Sequence, residues 1–125
     1  MDKRKSFEDY LERILMLKQK SELVRAIDIA NDMNYSKPSV SIALKKLKLN
    51  GYITVDEVSG NVNLTTEGLK IASYVLEKHE IISTCLMALG VSKSVALEDA
   101  CNIEHDLSDE AFEKLKEYYY KTLKR

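Results

Sequence analysis

The chain has 125 residues, 45% of them hydrophobic and 31% charged, and a net charge of −1. That is enough for one compact unit or two small ones, and no apolar run approaches the roughly 20 residues needed to span a bilayer. The start, Met1-Asp2-Lys3-Arg4-Lys5, is basic but leads into no apolar segment, so a secretory signal is not expected and the expected location is cytoplasmic.

Phe7, Tyr10, Leu11, Ile14, Leu15 and Leu17 recur at helical spacing and predict an amphipathic helix over 6–20, with Asp9, Glu12 and Met16 opposite the apolar stripe. After a polar break at Lys20-Ser21-Glu22, residues 25–32 read as a short helix with Ile27, Ile29 and Ala30 inside. Asn34-Tyr35-Ser36 is a turn. Ser36 is a good N-cap and Pro38 is tolerated in a first helical turn, so a helix runs from there to about Asn50, where Gly51 ends it. Its inward face is Val40, Ala43, Leu44 and Leu47. Tyr52–Val55 and Val62–Leu64 are rich in β-formers, and the Ser59-Gly60-Asn61 turn between them predicts a hairpin. Thr65 or Thr66 then caps a long helix from about Glu67 to Leu89, closed by Gly90. Residues 93–105 form another helix. Ser108, followed by Asp109 and Glu110, caps a last helix that runs to the C-terminus.

Helix, short helix, tight turn, helix and hairpin is the order of a winged helix-turn-helix, whose second helix enters the major groove. Here that helix covers about 37–49. Its outward face is Pro38, Ser41, Ile42, Lys45 and Lys46. Ser41 can bond base edges or phosphate, and Lys45 and Lys46 can pair with phosphates. Ser36, Lys37 and Ser39 sit at the helix N-terminus, itself a phosphate site. The Val58–Asn61 tip is the candidate wing. Residues 1–70 carry 12 Lys+Arg against 10 Asp+Glu, whereas 71–125 carry 7 against 10. The N-terminal part therefore suits phosphates and the C-terminal part a cation. A lysine-rich face that is merely solvated is the plainer alternative.

Two segments carry metal-ligand chemistry. In Asp9-Tyr10-Leu11-Glu12 the two carboxylates share a helix face, as do Cys101, Glu104 and His105 in Cys101-Asn102-Ile103-Glu104-His105. His79, the only other histidine, lies on a third predicted helix. Carboxylate, imidazole and sulfur are the donors of a first-row transition metal. Alternatively these are ordinary surface groups, with Cys101 a small buried hydrophobe. The two cysteines form no disulfide framework and read as reduced thiols, Cys85 in the core among Ile81, Ile82, Leu86 and Met87; Glu77 and Glu80 read as solvated.

Together these segments resemble the metal-dependent transcriptional repressors that include the diphtheria toxin repressor and the manganese transport regulator. Glu8-Asp9-Tyr10-Leu11-Glu12, Lys78-His79-Glu80 and Ala100-Cys101-Asn102-Ile103-Glu104-His105 with Leu107-Ser108-Asp109 carry the resemblance, which covers about 6–110. It implies a mainly α fold: a winged helix-turn-helix over 1–70, then a helical metal-binding and dimerisation domain over 71–125. It further implies a homodimer that represses from double-stranded operator DNA in response to Mn(II) or Fe(II), with Zn(II) or Cd(II) as substitutes in vitro. Asp9, Cys101, Glu104 and His105 match one metal centre. Glu12 and His79 match a second, with Glu104 able to bridge.

Two departures stand out. Iron-responsive members have a methionine where this chain has Asp9, and manganese-responsive members have a glutamate where it has Cys101. Cys101 could also bind through its carbonyl. Ending at 125, the chain is expected to lack the third, SH3-like domain of many iron-responsive relatives. Ile81, Ile82, Leu86, Leu89, Leu115, Tyr118 and Tyr119 form either the dimer interface or an intramolecular core. Two other readings stand against this one: a winged-helix regulator answering to an organic ligand or to oxidation at Cys101, and a metallohydrolase. No general base or pocket signature supports the latter, and no catalysis is expected.

Overall fold

The computed structural model describes residues 3–123, and side chains from residue 6. The chain forms helices α1 (Lys3–Lys20), α2 (Ala26–Met33) and α3 (Lys37–Leu49), strands β1 (Ile53–Val55) and β2 (Val62–Leu64), then helices α4 (Thr66–Ala88), α5 (Lys93–Ile103) and α6 (Asp109–Tyr118), ending in a π-helical turn, Tyr119–Leu123. It divides into two compact units, one up to Ser73 and one from Tyr74, so the division falls within α4.

The first unit is a winged helix-turn-helix. Ser36 caps α3 by accepting the Ser39 N–H at 3.3 Å, and Pro38 occupies the first turn, where a missing N–H costs nothing. Asn34, at φ 58°, closes α2, and Gly51, at φ 82°, follows α3; both are left-handed positions that Asn and Gly tolerate. Antiparallel β1 and β2 pair Ile53 with Leu64 and Val55 with Val62. The core joins Tyr10, Leu11 and Ile14 of α1, Ile29 and Ala30 of α2, Val40, Leu44 and Leu47 of α3, Ile53, Val62, and Ala72 of α4. Thr65 Oγ1 accepts the Gly68 N–H and donates to the Gly51 carbonyl, fixing the start of α4. Gly68 lies so close to β1 that an added Cβ would stand 2.0 Å from the Tyr52 carbonyl oxygen.

In the second unit, Ile81, Cys85 and Phe112 form a small core against which Tyr74, Leu107, Leu115, Tyr119 and Leu123 pack. Polar contacts reinforce the α4–α6 pairing. The Tyr74 hydroxyl donates to Asp109 at 2.9 Å, Lys116 pairs with Glu77 at 3.2 Å, and the Lys78 ammonium sits 4.6 Å from the Tyr74 ring centre. Burial and the Asp109 carboxylate push the Tyr74 hydroxyl up to about 12.

Several expectations need correcting. Glu12 is buried, 4% exposed, although the apolar stripe of α1 placed it on the polar side. It is engaged in interactions within the protein, as a buried carboxylate must be. Ile27 is 38% exposed, because in this two-turn helix the buried positions are Ile29 and Ala30. Glu77 is not solvated but half-buried and paired with Lys116. Ile81 is intramolecular core, and Leu115 and Tyr119 pack against it, whereas Leu89 is 81% exposed. The helix expected over 93–105 stops at Ile103, and the final helix becomes a π-turn from Tyr119.

Candidate metal centre and nucleic-acid face

On α5, Ala96 and Ala100 are fully buried, and Glu104 is the next residue on the same i, i+4 row. The stripe that buries two methyl groups thus buries a carboxylate at its end, with Glu104 0% exposed. α5 finishes there: the Glu104 N–H still bonds the Ala100 carbonyl, and the Asp106 and Leu107 N–H groups both turn back to the Ile103 carbonyl. Ser108 then starts α6 by accepting the Ala111 N–H at 3.1 Å. His79, on α4, follows buried Val75 by one turn and borders buried Ile82.

These elements bring together His79, Cys101 and Glu104, with one donor atom of each within 4.8 Å of the others. His79 Nδ1 lies 3.0 Å from Glu104 Oε2 and 3.7 Å from Cys101 Sγ. His105, also buried, has Nε2 3.4 Å from Glu104 Oε1. That contact is not a hydrogen bond, and Oε1 is a fully buried oxygen with no hydrogen-bond donor. The Cys101 sulfur and the Glu104 carboxylate hold the His79 imidazole protonated, up to about 10, against the opposing effect of burial. Of the two, the shorter, charge-assisted bond to Glu104 is the stronger contact. Asp9 and Glu12 lie on α1, in the first unit, Asp9 half-buried.

The donor set fits a transition metal on three counts. Nitrogen, sulfur and carboxylate oxygen are ligands of borderline ions. Donors about 2.0–2.3 Å from a tetrahedral ion stand roughly 3.3–3.8 Å apart, and the two separations from His79 Nδ1, 3.0 and 3.7 Å, lie close to that range. Glu104 Oε1 is a buried acceptor left over for a further bond.

On α3, Val40, Leu44 and Leu47 face inward, leaving Lys37, Pro38, Ser39, Ser41, Ile42, Lys45 and Lys46 exposed. Ser36 is less available than its position suggested: its hydroxyl caps the helix and donates to Ser39 Oγ at 2.9 Å. Two basic residues that the sequence reading did not single out, Lys18 and Arg25, lie against the wing. The positive balance of residues 1–70 pointed to that region but could not pick them out.

Residues 4–60 match the family described as iron dependent repressor, N-terminal DNA binding domain, and residues 65–122 match iron dependent repressor, metal binding and dimerisation domain. The chain belongs to the iron-dependent repressor family. An uncharacterized HTH-type transcriptional regulator of Methanocaldococcus jannaschii is 38% identical over 113 residues, 89% of this chain and 90% of that protein. The transcriptional regulator MntR of Escherichia coli O157:H7 is 35% identical over 114 residues, covering 91% of this chain and 73% of MntR. Among solved structures, the manganese regulator SloR superposes with a TM-score of 0.80 at 34% identity, covering 96% of this chain and 55% of SloR. This chain thus spans just over half the length of the SloR chain. The family is one of DNA-binding, metal-dependent transcriptional regulators, a mainly α winged helix-turn-helix followed by a helical dimerisation domain. Among the described residues, no helix is long and apolar enough to cross a membrane.

Proposed function

We propose that this repressor senses Mn(II) or Fe(II) through Asp9, Glu12, His79, Cys101, Glu104 and His105. One observation carries the reading. Glu104 is a fully buried carboxylate whose Oε2 bonds one imidazole, whose Oε1 faces another without a hydrogen bond, and which has a thiol within ligand distance. A buried acceptor without a donor costs about 1–3 kcal/mol, and a charged one more. A family whose model is described as metal binding supplies the reason to retain such a group.

A divalent cation would supply a charge that oxygen, nitrogen and sulfur donors can share at once. His79 must give up its proton to Nδ1-bind, and Cys101 must be a thiolate, so loading is coupled to proton release. Glu104 has an oxygen for each of two ions. Asp9 and Glu12 would add carboxylates from α1, so their recruitment to the ion would make the placement of α1 metal-dependent. The ligand set mixes a hard carboxylate, Asp9, which suits manganese, with a sulfur, Cys101, which favours iron, zinc or cadmium.

The protein acts as a homodimer, with exposed Leu89 and Tyr118 of the second unit available for contact. Paired recognition helices, about 34–36 Å apart, would read successive major grooves of a palindromic operator. Ser41, Lys45 and Lys46 face that groove, with Lys37, Pro38 and Ser39 at the helix start. Operator binding places the protein in the cytoplasm. The family match does not favour a regulator answering to an organic ligand or to thiol oxidation instead of metal. Calorimetric titration of the metal-free protein with Mn(II), Fe(II) under anaerobic conditions, and Zn(II) tests the reading. Saturable binding of one or two ions per chain is expected, and no binding of any of the three would overturn it.

A further inference from the structure

The hairpin between β1 and β2 has an unusual charge for an element that approaches DNA. Its loop carries Asp56 and Glu57, both exposed, next to Val58 at 98% exposure. The Asp56 carboxylate accepts the Val58 and Ser59 N–H groups, which hold its carboxyl below the usual range, so it stays ionised. Phosphates repel such a tip. The hairpin's own charges therefore do not draw it to DNA, and contacts within the protein hold it in place.

Those contacts are specific. Asn61 Oδ1 accepts two hydrogen bonds from outside the hairpin: the Val24 N–H at 2.9 Å and Lys18 Nζ at 3.1 Å. Arg25 Nε donates to the Ser59 carbonyl at 2.9 Å. The Arg25 side chain runs under Gly60, where a Cβ would meet its Cγ at 3.8 Å, and Gly60 has φ +78°. A backbone bond from Val62 N–H to the Val24 carbonyl completes the seam. The segment joining α1 to α2 is thereby stitched to the wing, and α2 leads directly into the turn before α3.

We propose that Asn61 and Arg25 are positioning residues for DNA binding, fixing the acidic wing at one angle to the recognition helix. This rests on the DNA-binding reading of the first unit. Neither residue needs to touch a phosphate for the effect. Losing the two bonds at Asn61, or the Nε bond at Arg25, frees the wing to swing away from the duplex.

The test uses the full-length protein at saturating Mn(II) and fixed salt, with Asn61→Ala and Arg25→Lys. Arg25→Lys keeps the charge but cannot reproduce the Nε geometry, so it separates position from electrostatics. Each variant should bind operator on the order of tenfold more weakly, with an unchanged salt slope and unchanged metal stoichiometry. Hydroxyl-radical protection of the minor groove flanking the site should fade, while protection of guanine N7 in the major groove under α3 persists. Parent-like affinity and footprint in Arg25→Lys would overturn the proposal. So would parallel loss of both protections, which is the signature of general destabilisation. Should Asn61→Ala fail to fold, Arg25→Lys alone decides by the same criteria.

Discussion

Replacing Glu104 with alanine separates what the buried carboxylate does for the fold from what it does for metal. In the metal-free protein the substitution removes the 3.0 Å bond to His79 Nδ1, a charged hydrogen bond of about 1.5–3 kcal/mol. It also leaves a small cavity. In the other direction it removes Oε1, a buried oxygen with no donor, whose desolvation costs about 1–3 kcal/mol. His79 can shed its proton once the carboxylate is gone, which limits the damage further. The opposing contributions leave a net destabilisation of about 0–2 kcal/mol, a fall in melting temperature of at most roughly 8 °C. Metal binding has no such compensation. Changing groups that only support a ligand costs about 10–100-fold in affinity, so losing a shared ligand should cost more than about 100-fold. Circular-dichroism melts with chelator report the first quantity, and calorimetry with Mn(II) reports the second. Parent-like ion stoichiometry and affinity in Glu104→Ala would refute the bridging role. A large loss of stability without metal would mean that the carboxylate is chiefly structural.

Four other outcomes are expected. Lys45→Ala should weaken binding to all DNA sequences and make the salt dependence shallower by about one unit, as loss of one phosphate contact requires; a change in base preference alone would mean that Lys45 reads a base. Cys101→Glu should shift the ratio of affinities toward manganese over cadmium, because a thiolate is replaced by a harder oxygen; unchanged ratios in competitive titrations would exclude sulfur as a ligand. His79, held up to about 10, stabilises the metal-free fold fully below its ordinary value near 6.5, and that contribution is lost as pH rises through about 10. Metal must displace this proton, so affinity should rise by about tenfold per pH unit for each proton displaced between pH 6 and 8; calorimetry in buffers of different ionisation enthalpy should detect the release, and none would contradict His79 ligation. Gly68→Ala should lower the melting temperature in the absence of metal, since its Cβ would stand 2.0 Å from the Tyr52 carbonyl oxygen and overpacking of this kind costs about 1–3 kcal/mol or more; an unchanged melt would show that α4 can shift there at little cost.

The sequence was most legible where chain chemistry is local. Ser36 with Pro38, Gly51, Gly90 and Ser108 mark helix ends by capping and backbone freedom, and each stands at the expected end in the structure. The closeness of Cys101 and Glu104 followed from helical spacing, whereas α5 ends at Ile103, so His105 meets Glu104 from beyond the helix rather than along its face. His79, 22 residues before Cys101, entered only as the other histidine on a third predicted helix; no local rule pairs α4 with α5, and it was the family resemblance that assigned it to a metal centre. Long-range packing stayed hidden. The polar positions of α1 gave no sign that Glu12 would be buried. Lys78, which entered only as part of the Lys78-His79-Glu80 motif, is 7% exposed, with its ammonium over the Tyr74 and Phe112 rings. Asn61 reads as a turn residue, and its side chain instead joins the hairpin to Lys18 and Val24. Phe112 lies 34 residues from Lys78, and Lys18 and Val24 lie 43 and 37 residues from Asn61, so neither contact has a local signature.

The central claim is that metal governs DNA binding, and operator affinity with and without metal tests it most directly. The full-length protein is titrated onto a palindromic operator at fixed salt, first with chelator and then with saturating Mn(II) or, anaerobically, Fe(II). Metal should tighten specific binding by at least about tenfold, a coupling of roughly 1.4 kcal/mol or more. Equal affinity in chelator and in both metals would contradict the account.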